Sequence, residues 1–199
     1  MIITPRPDRV SQILSAFPLS SPGRSKGLHL SDIIRYIMIH AEPEKYLRDD
    51  GDAFRLRINT GLRFEEAIER SEAAALFGSL GIIRPGEILQ DGILMTPDGV
   101  ELREDGELVV HEYKNTWKSS RQSLTHDKHW AWMMQIKSYC FGLATRYAEL
   151  WPRWVNNDYA PPSPKLACFD LEFTTLELFE TWDMVLRHKK GALDYYGTR

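Results

Sequence analysis

The 199-residue chain has only two cysteines, Cys140 and Cys168. Two thiols cannot build a disulfide framework, an all-cysteine zinc site or a cysteine-ligated iron–sulfur cluster. A reducing compartment, the cytoplasm, is the expectation. Long apolar runs are also lacking. None approaches the roughly 20 residues of a membrane span, so no membrane partner is expected. The first residues, MIITPRPDRV, have no apolar stretch of the kind a secretory signal needs. Nor is there an excess of basic charge: 25 Lys and Arg stand against 28 Asp and Glu, a net charge of −3. Bulk attraction to nucleic acid is thereby excluded as an argument, and any such partner must be read from a site. Repeats and low-complexity tracts are absent.

What remains is ordinary globular composition, 43% hydrophobic and 27% charged. Residues 1–27, with four prolines and five serines, read as an irregular leader with one short helix near Val10–Ala16. Residues 28–199 read as a single domain. Ser31 is a good N-cap for a helix carrying Ile33, Ile34, Ile37 and Met38 at helical spacing. A second helix is expected from about Asn59 or Thr60 to Phe77. Three β-like runs follow, Glu87–Met95, Gly99–Leu102 and Leu108–Tyr113, and Asp105-Gly106 between the last two is a hairpin signal. A long helix is expected from about Leu124 to Tyr147. Strands at Glu149–Val155 and Leu166–Phe173 precede a last helix, capped by Thr174 or Thr175 and running to about Lys190. The order implies an α/β fold, a mixed sheet flanked by helices.

The most informative segment is Pro97-Asp98-Gly99, the hairpin, then Glu112-Tyr113-Lys114. Residues i and i+2 on a strand share a face, so Glu112 and Lys114 project together. The apolar run before them marks a buried strand, where a carboxylate and an ammonium are costly unless paired or metal-bound. One hairpin can bring Asp98 beside Glu112, and two carboxylates suit a hard divalent cation. Taken alone, Glu-x-Lys is ordinarily a solvated ion pair and Pro-Asp-Gly a turn. Gly61 and Glu65 on the second helix, and Gln135 and Tyr139 on the long one, are each four apart and share a face.

The set Gly61-x-x-x-Glu65, Pro97-Asp98, Glu112-x-Lys114 and Gln135-x-x-x-Tyr139 resembles the PD-(D/E)XK nuclease superfamily. The Gln-x-x-x-Tyr helix is similar to that of its RecB-like and phage-type exonuclease branch. The resemblance covers about residues 28–190 and implies a restriction-endonuclease-like α-β-β-β-α-β core. It further implies a Mg²⁺- or Mn²⁺-dependent deoxyribonuclease acting in DNA repair, end processing or recombination. Exonuclease is the favoured form, and endonuclease, junction resolvase or an inactive DNA-binding module are the alternatives. Asp98, Glu112, the Tyr113 carbonyl and Glu65 would be the metal ligands, while Lys114, Gln135 and Tyr139 would complete the catalytic set. Asp91 and Glu66 are alternatives to Asp98 and Glu65. Glu65 stands where relatives often have His, and no iron–sulfur cluster is implied. A homo-oligomer, a single-strand annealing partner and a phage origin, with action in the host cytoplasm, belong to the same implication.

DNA contacts are assigned to Lys118, Arg121, Lys128 and Lys137, which surround the Glu-x-Lys strand and the helix after it. Trp117, Trp130, Trp132, Trp151 and Trp154 are candidates for stacking, with core packing the blander reading for most. His111 and His129 read as boundary residues.

Overall fold

The computed structural model describes residues 1–5, 25–47, 60, 61, 63, 64, 81–121, 124, 129–156 and 164–197. Its strands are β1 (Ile2–Pro5), β2 (Ile82–Ile83), β3 (Ile88–Gln90), β4 (Ile93–Met95), β5 (Gly99–Leu102), β6 (Leu108–Thr116), β7 (Tyr147–Trp154), β8 (Lys165–Leu166) and β9 (Phe169–Glu172). Its helices are α1 (Leu30–Ala41), α2 (Pro43–Tyr46), α3 (Trp130–Gly142) and α4 (Thr175–Tyr196). Residues 60, 61, 63 and 64 are also helical.

The main sheet runs β1-β9-β7-β6-β5-β2, with β8 added to β7. Among the described strands of this sheet only β6 and β7 are parallel; the other pairs are antiparallel. Parallel neighbours need a crossover, and α3 provides it. The nine-residue β6 is consequently hydrogen-bonded on both edges, to β5 and to β7. One face of the sheet presents Val110, Ala148, Leu150 and Leu171 to α1, α3 and α4. Ile33 from α1, Met133 and Ile136 from α3 and Val185 from α4 are fully buried there. Burial of each such side chain contributes about 1.5–3 kcal/mol. The opposite face carries Val109, His111, Tyr113, Glu149 and Trp151, all buried.

The expected fold class, a mixed sheet flanked by helices, is the one found. Several boundaries move. Ile2–Pro5 lies in the stretch read as irregular leader, yet it forms the edge strand β1 on β9. The run Glu87–Met95 is a hairpin rather than one strand, since Asp91 (φ 49°) and Gly92 (φ 69°) adopt the two left-handed conformations of a tight turn. His29, not Ser31, caps α1, and its backbone N–H donates to the Asp32 carboxylate (3.2 Å). The crossover helix stops at Gly142, because Ala144 turns left-handed (φ 53°) and the hydroxyl of Thr145 donates to the Leu108 carbonyl. Thr174 caps the last helix as expected: its hydroxyl accepts from the Glu177 N–H and its own N–H donates to the Glu177 carboxylate (2.9 Å). That helix continues past Lys190 to Tyr196 because Gly191 does not end it. A Cβ at Gly191 would meet the Tyr36 ring, with Cζ only 2.7 Å away, so the glycine admits α1 against α4. The short helix near Val10–Ala16 and most of the expected helix from 59 to 77 lie outside the described residues.

Candidate active site

The β5–β6 register sets the geometry. Gly99 pairs with His111 and Val100 with Val110. One step further along the same register, Asp98 falls opposite Glu112. Asp98 just precedes β5, and its Oδ2 accepts the Tyr113 N–H at 2.7 Å. The carboxylate thus takes a backbone donor on β6, and this clamp fixes its position. Gly99 makes the approach feasible, since a Cβ there would come within 2.9 Å of Ile82 and 3.3 Å of His111.

Alternation along β6 then puts Glu112 and Lys114 on the face that carries Val110, towards α3. The Lys114 ammonium donates to Glu112 Oε1 and to Gln135 Oε1, the latter at 2.9 Å. The Gln135 amide nitrogen donates to the Tyr139 hydroxyl at 2.7 Å. Strand and helix are joined by this one chain of bonds, from carboxylate through ammonium and amide to phenol. Gln135 and Tyr139, four apart on α3, line up as their spacing requires. The side chain of Glu112 is 1% exposed and that of Asp98 12%.

Burial raises the pKa of Asp98 above its ordinary value. The Lys114 charge, the Tyr113 N–H, the Arg84 guanidinium and a hydrogen bond with Glu112 all oppose that rise, but burial prevails. The Tyr113 phenol is pushed well upward, chiefly by burial and then by the nearby Asp98 and Glu149 charges. Two carboxyls in hydrogen-bonding contact within a low-dielectric site cannot both be ionised without added positive charge. Lys114 brings one charge. The Arg84 guanidinium, 4.0 Å from Asp98 Oδ1, brings another from the rim, and two carboxylate oxygens plus solvent are a set from which Mg²⁺ or Mn²⁺ is bound. The donors present therefore fit a hard divalent ion. Among the described residues, no group of three or more His, Cys, Asp or Glu side chains gathers to hold a metal.

The remaining candidates divide. Glu65, Glu66 and Lys128 lie outside the described residues. Among the described residues, a Cβ on Gly61 meets nothing within 4 Å, so close packing there has no support. Asp91 is not in the cluster; it sits in the β3–β4 turn and accepts from Trp182 Nε1 at 2.8 Å. Lys137, assigned to DNA, faces the other way. It is 9% exposed, donates to Glu177 at 3.1 Å and lies over the Phe173 ring, so it braces α3 against α4. Arg121 and Trp117 are exposed in the segment after β6, and Lys118 lies among them. Trp151 and Trp154 are core residues. His111 and His129 are buried, not boundary residues.

One member of the site had no motif to announce it. Arg84 Nη2 stands 4.0 Å from Asp98 Oδ1, carried in from the far edge by β2. Its only signal was its place just after Ile82-Ile83, a two-residue strand too short to read from periodicity.

No protein-family model matches the chain, and no curated protein matches it. Solved structures do. LHK-Exo in complex with dAMP aligns at 14% identity over 85% of this chain and 89% of its own, with a TM-score of 0.50. The alkaline exonuclease LHK-Exo from Laribacter hongkongensis, in another structure, aligns over 61% and 63% at 14% identity and a TM-score of 0.39. SSO0001 aligns over 96% and 84% at 13% identity and a TM-score of 0.46. The likeness to the dAMP complex is one of fold.

Proposed function

We propose that the chain is a divalent-metal-dependent deoxyribonuclease of PD-(D/E)XK type, acting as an exonuclease. The reading rests on the convergence of Asp98, Glu112, Lys114, Gln135 and Tyr139 on one face of the sheet. The fold shared with LHK-Exo, an alkaline exonuclease whose structure holds dAMP, supports the exonuclease form and DNA as substrate.

Asp98 and Glu112 would hold the cation, and the Tyr113 carbonyl and Glu65 would be its further ligands. When bound, Mg²⁺ or Mn²⁺ lowers the pKa of a water and offsets charge on the scissile phosphate. The Lys114 ammonium is held between Glu112 and Gln135, aimed where negative charge develops on phosphorus. Its two acceptors restrict the ammonium to one position, so the barrier carries less reorganisation. Tyr139 orients Gln135, and Gln135 orients Lys114. Arg84 balances the second oxygen of Asp98 from the rim.

The test is digestion of end-labelled linear DNA and closed-circular DNA in Mg²⁺, in EDTA and with Lys114→Ala protein. Loss of linear DNA alone, abolished by EDTA and by the substitution, is the expected result. Cutting of circles assigns an endonuclease. Binding without cutting assigns an inactive module. Full activity in Asp98→Asn, Glu112→Gln and Lys114→Ala variants alike defeats the assignment.

A further inference from the structure

The contacts between β6 and α3 do not end at Lys114 and Gln135. Two positions further on the same alternation is Thr116, and two beyond it is Lys118. The Thr116 hydroxyl oxygen accepts the Lys118 N–H at 3.1 Å and shapes the chain where the strand ends. The Lys118 ammonium lies over the Trp132 ring, 5.2 Å from its centroid. Trp132 is three residues before Gln135, hence on the same helical stripe. The His129 ring stacks on Trp132 at 4.2 Å and 28°, which holds the indole in place. So Lys114 on the strand bonds Gln135, and Lys118, two residues past the strand's end, lies over Trp132 of the same helix. Trp117 beside them is 41% exposed, an unusual setting for a residue of its area. Lys45 of α2 is close enough for its charge to act on Lys118.

We propose that the surface formed by Trp117, Lys118 and Trp132, beside the Lys114–Gln135 contact, is a subsite for an unpaired DNA segment. Lys118 takes a backbone phosphate from the position in which Trp132 holds it, and Trp117 stacks a base. Trp132 is a positioning residue, acting through Lys118. From Lys114 to Lys118 the chain spans at most about 13 Å. At about 3.4 Å per stacked nucleotide, the subsite lies within about four nucleotides of the scissile bond. Inside a duplex both faces of each base are covered by its neighbours, so the occupant is a frayed or single strand.

This inference rests on the nuclease reading, and one experiment separates the two. A fluorescein-labelled single-stranded 12-mer is titrated into the full chain in EDTA across a salt series, while cleavage in Mg²⁺ is followed in parallel. Lys118→Ala should weaken binding and lower the salt slope by about 0.7, the value for one phosphate on a single strand. Trp132→Ala should do the same, and the double variant should be no weaker than either alone. Trp132→Phe should restore binding, because the ring face that holds the ammonium returns. Trp117→Ala should lose about 5- to 150-fold, and should lose nothing on an abasic 12-mer. Wild-type protein that cuts DNA, with an unchanged slope in the Lys118 and Trp132 variants and unchanged affinity in the Trp117 variant, overturns the subsite alone. Wild-type protein that neither binds nor cuts overturns both readings.

Discussion

Asp98→Asn isolates the electrostatic claim from the catalytic one. Burial holds the Asp98 carboxyl above its ordinary value of 3.8. In the metal-free protein its ionised form therefore opposes folding, despite Lys114 and Arg84. An acid whose folded pKa is raised costs stability as pH rises through the window between its unfolded and folded values, and costs nothing below that window. Asparagine keeps the acceptor for the Tyr113 N–H, now at 2.7 Å, and offers Glu112 a donor in place of a second carboxylate. Relief of a buried charge of this kind is worth roughly 1–2 kcal/mol, about 2–8 °C in a chain of this size. Melting curves in EDTA at pH 8 should show that gain, and it should shrink as pH falls towards 4. Excess Mg²⁺ should reverse the order. If Asp98 is a ligand as proposed, wild type gains RT ln(1 + [L]/Kd), about 2.7 kcal/mol at a hundredfold excess over Kd, and the variant gains less. A variant that melts lower than wild type in EDTA would show Asp98 to be a net stabiliser. Equal stabilisation of both proteins by Mg²⁺ would remove Asp98 from the metal site.

Other expectations follow from the same geometry. Burial works to raise Glu177, but the Thr174 N–H and hydroxyl and Lys137 bring it down to about 2 from 4.5. Its contribution should be complete above about pH 4.5 and disappear as pH falls towards 2. With screening at a partly open site, Glu177→Gln should cost about 1–2 kcal/mol at pH 7 and almost nothing at pH 2, by urea titration at each pH. Gly191→Ala should destabilise although alanine favours helix by about 1 kcal/mol, because its Cβ meets the Tyr36 ring; adding Tyr36→Leu should recover most of the loss, and a Tm equal to or above wild type for the single variant would refute the packing argument. Gln135→Ala should cut kcat about 10- to 100-fold with little change in DNA affinity, and Tyr139→Phe should do less, since Gln135 keeps its bond to Lys114.

The fold class was legible because hydrophobic patterning and strand order survive any local error. Glu112, Lys114, Gln135 and Tyr139 were legible for a narrower reason: i,i+2 on a strand and i,i+4 on a helix are fixed by backbone geometry alone. Asp98 required one more step, that a tight hairpin puts it opposite Glu112, and Asp105-Gly106 signalled that hairpin. The misreadings have local causes. Ala144 adopts a left-handed conformation that its helix preference argues against, so the crossover helix ends before the Tyr147 its sequence predicts. Gly191 looks like a helix terminator in sequence and is a packing notch in space. Lys137 looks like a surface cation until Glu177, 40 residues on, is seen beside it. Arg84 arrives through strand pairing at the sheet's edge, which no one-dimensional pattern encodes.

The reverse face of β6 explains how the site keeps its shape. Trp151 Nε1 can only donate, and it points to His111 Nδ1 at 3.3 Å. Nδ1 must then accept, so Nε2 carries the proton and donates to Glu101 Oε2 at 3.0 Å. Glu149 beside it is held by Arg103 at 3.2 Å and by the Cys168 thiol at 3.5 Å. These bonds tie β5, β6 and β7 and the segments around Arg103 and Cys168 together directly behind Glu112. A catalytic constellation tolerates displacements of only about half an ångström. Side chains that alternate across one strand cannot shift independently, because any slide of β6 that moved Glu112 and Lys114 would also break the His111 bonds to its neighbours on both sides. Polar groups buried on one face thereby supply the rigidity that charged groups on the other face require. Their desolvation cost is the reason such a network would be poorly suited to a sheet that only had to fold.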